Sequence, residues 1–173
     1  MRIIGIGQMA CALALAAASI APLQAQSTQA GLAKEAATLS DKFSGLSKVM
    51  AAKYGWKPAE GVRSAGEVFN LIVMENGMLT GILTGANGGR GGGRGAQITD
   101  PEKLQDALKT SYAGLQKAIE SLTDADLKTP VKLFGRDMTK EEAVHFLFGD
   151  QHEHLGQSIA YARSNGIVPP WSK

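Results

Sequence analysis

The segment "GDQHEHLGQS", residues 149–158, gathers two of the chain's three histidines with an aspartate and a glutamate. Imidazole nitrogen and carboxylate oxygen are the ordinary protein donors to a borderline divalent metal, and the same groups serve as general acids and bases near neutral pH. On a helix, only side chains three or four apart share a face, so spacing decides which of them can cooperate. Asp150 and His154, four apart, fall together along one edge of the helix's apolar stripe. His145 and His152, seven apart, fall along the other edge, and Glu153 points away. The three histidines therefore do not converge on one ion. Asp150 and His154 supply two ligands, and further ones must come from a neighbouring helix or from water. The competing reading makes His154 a core-edge imidazole in a charge-assisted pair with Asp150. Gln157 and Tyr161 follow at steps of three and four and line the same cleft as candidate pocket residues.

The stripe that orients this helix consists of Val144, Leu147, Phe148, Leu155, Ile159 and Ala162, and it must face a core. Three segments begin with the pattern S/T-x-x-E, at Ser64–Glu67, Thr99–Glu102 and Thr139–Glu142. In such a box a hydroxyl and a carboxylate satisfy otherwise unpaired backbone N–H groups at a helix start. A further helix carries Leu32, Ala36, Leu39, Phe43, Leu46 and Met50 at steps of three and four. The spacing predicts four helices, over about residues 28–53, 64–84, 100–121 and 139–164, long enough to bury one another's stripes as an all-α four-helix bundle. No run alternates convincingly with period two. The connection before the last helix, residues 123–138, is long for an up-down bundle and has room for a short hairpin or a crossover. Asn165–Gly166 and Pro169–Pro170 end the last helix.

Residues 1–25 stand apart from this core. Arg2, an apolar alanine-rich run from about Met9 to Ile20, Pro22 and the small-residue exit "LQAQ" have the layout of a secretory signal peptide cleaved after Ala25. The apolar run is shorter than the roughly 20 residues of a spanning helix, so the expectation is a periplasmic or secreted domain over residues 26–173 with no integral membrane segment. The one cysteine, Cys11, lies inside the signal, which leaves the mature chain without a disulfide, a thiolate nucleophile or a thiolate metal ligand. That chain carries 17 basic and 16 acidic side chains, and so balanced a charge gives no reason to expect nucleic acid or an anionic membrane as a partner. "TGANGGRGGGRGAQ", residues 84–97, has glycines and arginines suited to an anion, but neither the preceding strand nor the GK[ST] ending of a phosphate loop, and reads as a linker.

"DQHEHLGQSIAYARSNGIVPPWS", residues 150–172, resembles the end of the last helix in DinB-like proteins, the superfamily of damage-inducible DinB proteins and thiol-dependent transferases. "RSAGEVFNLIVMEN", residues 63–76, is similar to its second helix, and "TDPEKLQDALKTSYAGLQKAI", residues 99–119, to its third. The resemblance implies a four-helix bundle, often a homodimer, holding a divalent ion of zinc or nickel type with three histidines. One of these comes from the second helix and two, as an HxxxH pair, from the fourth. Laid on this chain, the pair falls on Asp150 and His154 and the second-helix histidine on Leu71, which cannot bind metal. Glu75, one turn beyond Leu71, is the candidate replacement, whereas Glu67 is taken up by its capping box.

Two functions follow from that departure. One is a bundle whose metal site has degenerated and which binds a small molecule or a partner, through a pocket of Leu71, Gln157 and Tyr161. The alternative is a divalent-metal-dependent transferase or hydrolase built around Glu75, Asp150 and His154.

Overall fold

The computed structural model describes residues 27–86 and 96–172. The expected signal peptide and most of the glycine/arginine segment lie outside the described residues. Four long helices, α1 (Thr28–Val49), α2 (Ala65–Thr84), α3 (Pro101–Glu120) and α5 (Lys140–Ser164), form the bundle. Between α3 and α5 lie the one-turn α4 (Asp124–Leu127) and a hairpin of β1 (Pro130–Leu133) and β2 (Arg136–Thr139). Among the described residues no helix is long and apolar enough to cross a membrane.

Capping sets the helix starts. The boxes Ser64/Glu67 and Thr139/Glu142 close reciprocally, as their sequences predict. The third expected box does not form: Asp100, one residue after Thr99, caps α3 by accepting the Lys103 N–H at 2.9 Å. Pro101 explains the shift, because proline has no N–H and its fixed φ suits the first helical position, which makes the residue before it the cap. An additional box, Thr123/Asp126, starts α4.

The expected first helix, to Lys53, ends at Val49 and continues only as a single 3-10 turn over Ala51–Lys53. The chain then turns so that Tyr54 lies against the start of α2, where Gly66 N–H donates to the Tyr54 carbonyl at 2.8 Å. A Cβ on Gly66 would meet the Tyr54 Cβ at 3.0 Å and its carbonyl oxygen at 3.1 Å, so a larger residue would have to push Tyr54 back from this close approach.

The hairpin pairs Val131 with Met138 and Leu133 with Arg136, joined by Phe134 and Gly135 at φ 50° and 78°. Positive φ at both positions is the signature of the two-residue turn whose twist matches paired strands. Four-residue strands present only two side chains per face, too few for alternation to be visible in sequence.

Around the bundle α1 packs against α3, α3 against α2, α2 against α5 and α5 against α1, while α1 and α2 stand diagonally opposed. All six residues of the α1 stripe are buried. Phe43 stacks on Tyr112 at 6.3 Å between ring centroids and meets the edge of Phe69 at 6.5 Å, joining α1, α2 and α3 at the centre. Five of the six stripe residues on α5 are buried, and Ile159 packs against the core from its margin.

Three contacts fix how α5 lies on α2. Lys140 Nζ donates to the Leu83 carbonyl at 2.7 Å, Gln151 Nε2 to Asn76 Oδ1 at 2.8 Å, and the Tyr161 hydroxyl to the Arg63 carbonyl at 3.1 Å. Ascending numbers on α5 meet descending numbers on α2. The two helices are antiparallel, with Glu75 level with Asp150 and Leu71 level with His154.

Candidate cation-binding site

This register brings Glu75, Asp150 and His154 together. One ligand atom from each lies within 4.8 Å of the other two, the one such group among the described residues. Glu75 comes from the middle of α2 and the other two from the middle of α5, so all three sit on helical backbone rather than on loops. Leu71, one turn before Glu75, is half-buried beside the cluster.

Glu75 is only 3% exposed, and its Oε2 is buried without a hydrogen-bond partner. Burial first, then the charge of Asp150 and a hydrogen bond to it, push the Glu75 carboxyl up to about 8, with the Arg63 charge pulling the other way. A buried carboxylate facing a second carboxylate is costly unless a proton or a cation lies between them.

His154 is placed by a hydrogen-bonded chain. Its Nδ1 lies 2.9 Å from Gln157 Oε1, Gln157 Nε2 donates to the Tyr161 hydroxyl oxygen at 2.8 Å, and that hydroxyl donates to the Arg63 carbonyl. The Tyr161 ring is held edge-on by Trp56 at 5.2 Å between centroids. The other imidazole nitrogen, Nε2, stands 3.6 Å from Asp150 Oδ2, beyond hydrogen-bonding distance.

A second polar group lies immediately beside the cluster. The Tyr112 hydroxyl donates to Gln151 Oε1 at 2.9 Å, Gln151 Nε2 to Asn76 Oδ1, and Asn76 Nδ2 to Ser111 Oγ at 3.1 Å. The Ser111 hydroxyl in turn donates to the Leu108 carbonyl at 2.9 Å. Gln151 and Asn76 are fully buried, and burial raises the Tyr112 phenol well above its ordinary value. Sequence reasoning missed this network. The available signal was Gln151 itself, a polar residue between Phe148 and Leu155 in the stripe. Trp56 and Arg63 were likewise unmarked, because nothing in a loop's sequence announces which helix it will touch.

The remaining candidates are separate. His145 and Glu153 are exposed, and His152 Nε2 lies 2.7 Å from Glu35 Oε1 of α1 at the opposite edge of α5. Gln157 is half-buried and Tyr161 buried, both on the cluster's side of the helix.

An all-α bundle with three metal-donor side chains converging from two adjacent antiparallel helices defines the class of protein. The sequence profile of the DinB superfamily matches residues 37–158, and the chain belongs to that superfamily. The fold is similar to that of a DinB-like protein from Bacillus subtilis, with 19% identity, a TM-score of 0.67, and 80% of this chain and 93% of that one covered. It is also similar to that of a DinB-like protein from Bacillus cereus, with 20% identity, a TM-score of 0.69, and 83% and 96% covered. At such identities the likeness concerns the fold. No curated protein sequence matches the chain.

Proposed function

We propose that this DinB-like domain binds a divalent cation of the zinc or nickel class through Glu75, Asp150 and His154, and takes a small molecule alongside it. The observation that carries the reading is Glu75, which brings a carboxylate oxygen within 4.8 Å of donor atoms of Asp150 and His154 and whose Oε2 is buried and unpartnered. The fit is chemical as well as spatial. Two carboxylates and one imidazole suit a borderline divalent ion, and their two negative charges offset its two positive ones. With three protein donors, such an ion supplies Lewis acidity to the oxygen or sulfur atoms of whatever molecule shares the site.

Around it the chain's own residues divide the work. Glu75 and Asp150 would supply the negative charge facing the ion, Leu71 lies half-buried one turn before Glu75, and Trp56 packs on Tyr161, whose hydroxyl reaches the Arg63 carbonyl. Glu75 stands in for the ligand that Leu71 does not supply. Helical periodicity lets a residue one turn away present the same face, displaced by about 5.4 Å. This reading supports the metal-site function over a bundle with a degenerate site.

Calorimetric titration of the metal-stripped domain with Zn²⁺ tests it. One equivalent is expected, and Glu75→Gln, Asp150→Asn or His154→Ala each weaken it by about 100-fold or more, at or above the top of the range for losing a group that only supports a ligand. If the wild type binds nothing while Leu71→His binds one equivalent, the natural site is a vestige and the reading falls.

A further inference from the structure

We infer that Gln157 and Tyr161 are positioning residues that hold the His154 imidazole in the tautomer protonated at Nδ1, directing the Nε2 lone pair at Glu75 and Asp150. This rests on the cation-site reading and adds to it the device that aims one ligand.

The direction of every hydrogen bond in the chain follows from its far end. The Arg63 carbonyl can only accept, so the Tyr161 hydroxyl donates its one proton there, at 3.1 Å. Its oxygen is left as an acceptor, which the Gln157 NH₂ fills at 2.8 Å. The Gln157 amide is thereby oriented with its carbonyl oxygen toward His154, and that oxygen, 2.9 Å from Nδ1, also can only accept. Nδ1 must therefore carry the proton. In a neutral imidazole the other nitrogen then has a free lone pair. Nε2 is the nitrogen nearer Asp150, at 3.6 Å, and it makes no hydrogen bond.

The chain has the supports needed to keep this orientation. Tyr161 is 7% exposed, with its ring against Trp56, and Arg63 immediately precedes Ser64, the capped start of α2. The aim of an α5 imidazole is thus referred to the backbone just before α2, the helix that supplies Glu75. Groups hydrogen-bonded to the distal nitrogen of a ligating histidine fix its tautomer and orientation, and their loss weakens metal affinity by about 10- to 100-fold.

The test combines a tautomer readout on metal-free protein with zinc titration. Long-range ¹H–¹⁵N correlation spectra, at a pH where the imidazole is neutral, are expected to show His154 protonated at Nδ1. Gln157→Leu and Tyr161→Phe are expected to populate the Nε2-protonated form and to weaken Zn²⁺ binding by about 10-fold or more. Gln157→Glu, which keeps an acceptor facing Nδ1, restores the Nδ1-protonated form. A wild type protonated at Nε2, or a folded Gln157→Leu or Tyr161→Phe with the wild-type signature and affinity, overturns the inference. A wild type with the Nδ1 signature that binds no zinc supports the inference and removes the cation-site reading instead. Tyr161→Phe keeps the buried ring, so it reports even if Gln157→Leu does not fold.

Discussion

Glu75 and Asn76 are neighbours on α2, and Asp150 and Gln151 are neighbours on α5, yet the two cross-helix pairs meet opposite circumstances. Asn76 and Gln151 belong to a chain of donors and acceptors that begins at the Tyr112 hydroxyl and ends on the Leu108 carbonyl. Glu75 and Asp150 share a hydrogen bond but face each other as two carboxyl groups, with the buried Oε2 of Glu75 left without a partner. Buried polar groups are nearly always paired in folded proteins, and a closed network rigidifies whatever it joins. The closed pair is therefore a structural lock, and the open pair is where a ligand has something to gain.

The sharpest way to break this contrast is Gln151→Leu. It strands the Tyr112 hydroxyl and an Asn76 carbonyl oxygen in the core, each at about 1–3 kcal/mol, so the fold is expected to lose about 4 kcal/mol in urea unfolding. A loss below about 1 kcal/mol would mean that the network is not a lock.

The open pair responds to pH instead. In the metal-free fold Glu75 is raised to about 8 from an ordinary 4.5. Between those values the folded state holds a proton that the unfolded chain has released, so stability falls as pH rises through the window and levels off above it. The slope approaches about 1.4 kcal/mol per pH unit at most. Glu75→Gln is expected to flatten it, and unfolding free energies measured across that window check this. An unchanged slope in the variant would assign the effect to another group.

The smallest effect belongs to the far edge of α5. His152 and Glu35 are close, at 2.7 Å, but their side chains are 49% and 40% exposed. Such pairs contribute about 0–1 kcal/mol. His152→Ala is expected to shift stability by no more than about 0.5 kcal/mol and to leave zinc binding unchanged, which tests the separation of His152 from His154 on the two edges of α5.

What the sequence disclosed follows the same physical divide. The stripe from Leu32 to Met50 was legible because burial at steps of three and four writes a period into the chain. The separation of His154 from His145 and His152 was legible for the same reason. Asp100 as the cap of α3 required weighing Pro101 above the S/T-x-x-E pattern, and the hairpin was too short to write any period. The tie from Tyr161 to Arg63 joins residues 98 apart in sequence, and local pattern carries nothing about such a pairing. Glu75 could be reached from sequence only as a residue one turn from Leu71. Its burial depends on the register of α5, which the Asn76–Gln151 pair sets.

That amide pair also governs motion. Sliding α5 along α2 by one residue moves it about 1.5 Å and turns it by roughly a quarter of a circle, which would part both amides inside an apolar core. The cost removes small slips from the native ensemble, so the mid-helix segments open to solvent only in events close to global unfolding. Donor atoms mounted there arrive already ordered, and an ion or small molecule meets them without the entropic cost of assembling the site.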